Sequence, residues 1–276
     1  MHHEKVLKRT SIFILCLLLS LLFLFPIYIL FISSFKNIKG IYIDVLGLPG
    51  DYFTLSNYPD AISRMEYLTA FKNSVFIAVA ATALILIFSS VTAWVLVRNK
   101  SNLSRAVYIF FSISLLVPFQ CVMLPLAKIL RTCGMLNPAG LIIAYLGFGS
   151  SLAIMLFHGF IKNIPLELEE AARIDGCSEL RIFISIVFPL LKTILVTVAI
   201  LNVMWIWNDY LLPSLLVNAN PDWQTLPLRT FLFFGQFSKR WDLGTAALIL
   251  GMLPIIVFYM FAQKHIVKGI TDGSIK

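Results

Sequence analysis

The chain is divided into long uncharged runs separated by shorter charged segments. Thr10 to Phe35 lies between Arg9 and Lys36, and Asn73 to Val97 between Lys72 and Arg98. Ala106 to Ala127 lies between Arg105 and Lys128, Thr132 to Ile161 between Arg131 and Lys162, and Leu243 to Gln263 between Asp242 and Lys264. Each reaches the roughly 20 residues that a helix needs to cross a bilayer. A sixth run, Ile182 to Asn208, is interrupted only by Lys192, a side chain long enough to snorkel to the headgroups. The pattern predicts an all-α integral membrane protein of about six transmembrane helices, read as one domain over residues 1–276.

Composition agrees. The chain is 59% hydrophobic and 13% charged, against about 25% charged residues in a typical soluble domain. The first run follows Lys5, Lys8 and Arg9, but it is too long for a signal-peptide core. Ser33-Ser34-Phe35-Lys36 is also a poor cleavage site, so the run is read as a retained helix. The net charge of +8 raises the question of nucleic acid, and its distribution answers it. With the N-terminus inside, twelve of the 22 Lys and Arg residues fall in inner segments, nine in outer ones, and Lys192 within a run. Basic residues gather on the cytoplasmic side of membrane proteins, which favours both termini inside and makes nucleic acid an unnecessary partner. Cys16, Cys121, Cys133 and Cys177 show no metal-ligand spacing and read as small hydrophobes, so no metal site is expected.

Prolines fall inside the predicted helices at Pro26, Pro118, Pro125, Pro189 and Pro254. They remove backbone donors and predict kinks. Gln120 stands between Pro118 and Pro125, where a polar side chain at membrane depth needs a partner or a wet path.

The segment Lys162 to Arg181, KNIPLELEEAARIDGCSELR, is charged and faces the inside. Pro165 suits a first helical position, and Glu167, Glu169 and Glu170 suit a helix N-terminus. Gly176 suits the left-handed residue just past a C-terminus, and Ser178 suits the cap of a following helix. The reading is a short helix at about 164–177, a sharp turn, and a second helix entering the membrane. Ile164, Leu168, Ala171, Ala172 and Asp175 share helical spacing. The small alanines admit another surface, and Glu169 and Glu170 can pair with arginine. Such a knob is shaped to dock in a partner's groove.

Glu170-Ala171-Ala172, Gly176 after three residues, Ile186 and Pro189 together resemble the EAA signature of ABC-importer permeases. Phe188 replaces the usual Leu. Leu24 to Lys36, Val117 to Gln120, Trp207 to Tyr210 and Ile266 to Thr271 are similar to the sugar-permease branch, nearest the smaller permease of maltose-type importers. The resemblance covers nearly the full length. It implies the type I ABC importer permease fold in a bacterial cell membrane. It also implies a second, different permease, two copies of an ABC ATPase, an extracytoplasmic sugar-binding protein and a sugar substrate. ATP and Mg would be bound by the ATPase, with no cofactor in this chain. Glu169, Glu170, Ala171, Ala172, Asp175, Gly176 and Pro189 would form the ATPase-coupling site. The tail, with Gly269, Thr271 and Gly273, would reach toward the ATPase.

No GxxxxGK[ST] loop, HExxH or GxSxG occurs, so catalysis is not expected in this chain. A secondary carrier or channel without an ATPase partner is the alternative. It would need intramembrane ionisable groups, for which His158, Lys192 and Asp209 are the candidates. Trp205, Trp207, Asn208 and Tyr210 at the outer end of the fifth helix suit a sugar path, because carbohydrates take both aromatic faces and hydrogen bonds. An interfacial aromatic belt is the competing reading. Asn202 and Gln120 extend that polar path. The even helix count turns the loop from Tyr210 to Asp242 outward, and Asn218, Asn220 and Trp223 mark the tip that would meet the binding protein.

Overall fold

A computed structural model describes the backbone of residues 2–235 and 239–274 and the side chains of 9–235 and 239–264. Among these residues the regular structure is helical, with two isolated bridges, Lys36 to Phe53 and Phe234 to Lys239. The helices are α1 (His2–Ser34), α2 (Ile38–Ile43), α3 (Asn57–Arg64), α4 (Tyr67–Arg98), α5 (Asn102–Ser114), α6 (Phe119–Thr132), α7 (Pro138–Ile161) and α8 (Glu167–Ile174). They continue as α9 (Glu179–Ile182), α10 (Phe188–Leu190), α11 (Lys192–Asn208), α12 (Leu211–Leu216), α13 (Leu226–Thr230) and α14 (Trp241–Ser274). The chain forms two compact units, one from the described residues of Met1–Leu68 and Arg229–Leu253, the other from those of Thr69–Leu228 and Pro254–Lys276.

In the first unit, α1 exposes apolar side chains all round from Ile12 to Tyr28. A helix apolar on every side and uncovered by its own chain is matched to hydrocarbon. Its end is fixed by polar contacts. Asn57 donates to the carbonyls of Ser34 (2.9 Å) and Lys36 (2.8 Å). The Lys36 ammonium donates to the Asp44 carbonyl at 2.6 Å.

In the second unit, α4 buries a stripe that includes Asn73, Ile77, Ala81, Ile85 and Ala93. The spacing is that of one helix face, and small residues on it let neighbouring helices come close. Ile77, Ile85, Tyr145, Ile154, Phe157, Ile182, Val187, Leu191 and Val198 share one apolar core. Gly149 of α7 faces both α4 and α11 closely. A Cβ there would lie 2.5 Å from Ile85 Cδ1 and 2.8 Å from Asn202 Oδ1, so any larger residue would have to push these side chains aside.

Among the described residues four helices are long and apolar enough to cross a membrane singly, and two bent pairs raise the number to as many as six if each pair is one span. The run Ala106 to Ala127 is not one straight helix. It breaks between α5 and α6 with a bend of 106°. Pro118 is not inside a helix but stands in extended conformation at the N-terminus of α6, where its missing N–H costs no helical bond. The run Ile182 to Asn208 bends by 77° between Glu179–Leu190 and α11. A π-helical turn at Phe183–Val187 precedes Pro189, which has no N–H to continue the ladder. Run Thr132 to Ile161 starts its helix only at Pro138, where Asn137 Oδ1 accepts the Gly140 N–H at 3.0 Å.

Candidate functional site

The EAA segment folds as the eight residues of α8. Pro165 does not open the helix as expected. Leu166 takes the cap position, and its carbonyl accepts from Glu169 N (2.9 Å) and Glu170 N (3.1 Å). The other end closes on Gly176, whose φ is +81°. Cys177 N donates to Ala172 O and Gly176 N to Arg173 O, both at 3.0 Å. These two bonds define a Schellman end, which needs a left-handed residue at the glycine position. Ser178 then precedes α9 in extended conformation, without a side-chain capping bond. Across the turn Arg173 grips Glu179 with two bonds, Nε to Oε1 at 2.6 Å and an Nη to Oε2 at 3.0 Å. The angle between α8 and the next helix is therefore held by backbone and side chain together.

Glu169 is fully buried. Its carboxylate accepts from Trp94 Nε1 (3.0 Å) and Arg98 Nε (2.9 Å), and the Arg98 guanidinium also donates to the Ile164 carbonyl at 3.0 Å. Arg173 adds a longer ion pair at 3.7 Å. A buried carboxylate needs such partners. The resemblance sets Glu169 among the ATPase-coupling residues; the structure turns it inward, where it fastens α8 to the cytoplasm-predicted end of α4. The expected face also divides. Ile164 and Ala172 are buried, whereas Leu168, Glu170, Ala171 and Asp175 are exposed. Ile174, 87% exposed, joins the outward side and was not singled out by sequence. Arg98 carries no signal in the sequence beyond its positive charge on the predicted inner side.

The opposite end of α4 holds the loop after α12. Asn73 Nδ2 donates to the carbonyls of Asp222 (2.8 Å) and Gln224 (3.1 Å), and Ser74 Oγ accepts the Leu226 N–H at 2.7 Å. Asn218 and Asn220 are exposed, and Asn220 Oδ1 caps the turn Pro221–Trp223. Trp223 leans on Phe76, with ring centroids 6.3 Å apart, so the tip is braced as well as exposed. Asn73 and Arg98 are about 37 Å apart along a helix rising ~1.5 Å per residue. That is a bilayer's hydrocarbon thickness or more, so this loop and α8 stand at opposite ends of one spanning helix.

The six residues assigned to a substrate path do not form one lining. Trp205 is half-exposed and packs edge-on against Tyr145 at 5.4 Å. With Asn202, Phe148, Gly149, Leu152, Leu115 and Leu201 it lines a cavity of about 240 Å³. Asn208 is exposed on the same side of α11. Trp207 points the other way. It is buried against Phe71 at 5.8 Å and does not line this cavity. Asn202 is buried and donates to the Val198 carbonyl at 2.9 Å, Tyr210 is partly buried beside the core, and Gln120 is exposed on α6 outside this cavity. Asp209 is partly buried. Its Oδ2 accepts from Tyr145 Oη at 2.9 Å, which ties α7 to the end of α11. His158 stacks on Tyr108 at 3.9 Å, a packing position. Gly269, Thr271 and Gly273 lie outside the residues whose side chains are described. No group of three or more His, Cys, Asp or Glu among the described residues is arranged to hold a metal.

Residues 85–272 match the family model of binding-protein-dependent transport system inner membrane components. The chain belongs to this family. It is therefore a multi-pass membrane component of an ABC-type importer, the transporter's permease rather than a catalytic subunit. Curated relatives align over almost the whole chain. The probable starch degradation products transport system permease protein AmyC of Thermoanaerobacterium thermosulfurigenes is 44% identical over 94% of both chains. The melibiose/raffinose/stachyose import permease protein MelC of Bacillus subtilis is 35% identical over 91% of both, and the multiple sugar-binding transport system permease protein MsmG of Streptococcus mutans is 34% identical over 93% of both. A chain in the crystal structure of a bacterial ABC transporter that imports the acidic polysaccharide alginate superposes with TM-score 0.79 at 21% identity, covering 96% of this chain and 98% of that one. At that identity the likeness establishes the fold. The family is consistent with the four to six candidate crossings among the described residues, and the EAA segment lies between α7 and the bent pair that ends in α11.

Proposed function

We propose that this permease passes oligosaccharides and that α8 is its coupling helix. Both units would act together as one permease domain over residues 1–276, with both termini cytoplasmic. A second, different permease would complete the pathway, two ABC ATPase subunits would bind ATP and Mg, and an extracytoplasmic binding protein would deliver the sugar. The observation that carries the coupling reading is the construction of α8. Its outer surface of Leu168, Glu170, Ala171, Ile174 and Asp175 is free, and its inner surface is anchored by Glu169. A short helix held from behind and open in front transmits a push; a loosely tethered one absorbs it. The sugar class is supported by the three relatives, each named for sugar or starch-product transport.

The outer loop, with Asn218, Asn220 and Trp223, is the proposed binding-protein contact. The cavity beside Trp205 and Asn202, with Asn208 nearby, is the proposed sugar-facing surface, which a second permease must enclose. Pro189 and the π turn set the bend through which α8 joins α11.

The path is tested by uptake of radiolabelled maltodextrin and raffinose-type sugars into proteoliposomes holding the full complex. Trp205→Ala should lower uptake about five- to tenfold, as expected for loss of a ring stacking on a sugar. Trp205→Phe should retain most of it, and basal ATP hydrolysis should continue in both. Wild-type uptake and preference in Trp205→Ala would return Trp205 to the aromatic belt.

A further inference from the structure

The two functional ends of the permease are fastened to one helix. At one end of α4, Trp94 and Arg98 donate to the buried carboxylate of Glu169 (3.0 and 2.9 Å). At the other, Asn73 and Ser74 hold the backbone of the loop carrying Asn220 and Trp223. Neither attachment follows from chain connectivity, since α8 and the loop are 71 and about 150 residues away from their partners in sequence. Between them, α4 has no proline and runs 32 residues as one unbroken helix. The neighbouring route from α8 toward the outer end, through Glu179–Leu190 and α11, is bent by 77° and contains a π-helical turn. A continuous helix with hydrogen-bonded ends passes displacement along its axis; a broken one hinges.

We propose that α4 is the transmitting element of the permease, hooked to the coupling helix by Arg98 and Trp94 through Glu169 and to the outer loop by Asn73 and Ser74. This rests on the coupling reading of α8 and deepens it. Arg98 and Asn73 are positioning residues; the partner proteins touch α8 and the loop. The bent span would serve as the hinge that opens and closes the path beside Trp205, while α4 keeps the two docking surfaces at constant separation from its own ends. Energetic coupling of this kind is carried by packed, hydrogen-bonded rigid elements, and changing one link alters it without touching either ligand.

The test uses the assembled complex in a background without the four native cysteines. Spin labels at Val95→Cys and Glu167→Cys report the inner attachment, and labels at Val79→Cys and Ala219→Cys the outer one. Both distance distributions should stay in place between the resting and vanadate-trapped states. Arg98→Met should broaden or shift the inner distribution and lower binding-protein-stimulated ATP hydrolysis about tenfold, with Arg98→Lys between it and wild type. A shift of either distribution on trapping in the otherwise unsubstituted chain would overturn the proposal, and so would full stimulation in Arg98→Met. If Arg98→Met fails to assemble, the two distributions in the unsubstituted chain still decide. Ile174→Glu separates this from the coupling reading. Normal stimulation in Ile174→Glu would refute docking through α8 whatever the α4 distances show.

Discussion

Gly176→Val removes most transport and ATPase stimulation, whereas Gly176→Asn keeps most of both; this is the expected outcome of the turn geometry. No atom lies within 4 Å of a Cβ built on Gly176, so side-chain crowding is not the cause. The cause is φ of +81°, which costs an L-residue roughly 1–2 kcal/mol and a β-branched one more. Valine would relieve that strain by giving up the two Schellman bonds at Ala172 and Arg173, and α8 would swing relative to Glu179–Leu190. A cost of about 1.4 kcal/mol already corresponds to tenfold in an equilibrium, so a loss of tenfold or more in stimulated hydrolysis is expected. Asparagine tolerates the left-handed region. Equal activity of the Val and Asn variants would show that the turn does not set the coupling geometry.

Glu169→Ala is expected to be the most destabilising single change in α8. The carboxylate is fully buried, and Arg98 has a side-chain exposure of 17%. Removing one member of such a pair leaves the other charge and the indole N–H without their acceptor, at a cost of about 3 kcal/mol or more. Purified complex carrying Glu169→Ala should unfold about 6 °C or more below wild type, and Glu169→Gln, which keeps an acceptor oxygen, should fall between. Glu170→Ala, exposed on the next position, should change stability by no more than about 0.5 kcal/mol while weakening ATPase association. If the two glutamates prove interchangeable in thermal unfolding, the inward assignment of Glu169 is wrong.

The contrast between these neighbours marks the limit of the sequence. Three glutamates in one first turn satisfy the helix dipole equally, and only the indole and guanidinium brought in by α4 select Glu169 for burial. Gly176 was legible because its constraint is local, a left-handed residue closing a helix. The membrane crossings were legible because lipid forces long apolar runs. The breaks were harder. Pro118 and Pro189 announce lost donors, but whether a span kinks slightly or turns through 106° depends on what the neighbouring helices fill. Trp205 and Trp207 look alike in sequence. Two residues apart on a helix, they point to different sides, and packing against Phe71 rather than composition decides which one is core. Asn73 carried no sequence signal at all, since its role is to hold the backbone of a loop about 150 residues away.

The central claim, that the chain is a permease whose α8 meets an ATPase on the inside while the Asn218–Trp223 loop faces out, is tested most directly by side-specific labelling of two cysteines. In a background without Cys16, Cys121, Cys133 and Cys177, Asn220→Cys should react with an impermeant thiol reagent added to intact cells, and Ile174→Cys should not. In inside-out vesicles Ile174→Cys should react when the ATPase has been stripped away and be protected when it is bound. Labelling of Ile174→Cys from outside, or labelling from inside that is indifferent to the ATPase, would contradict the account.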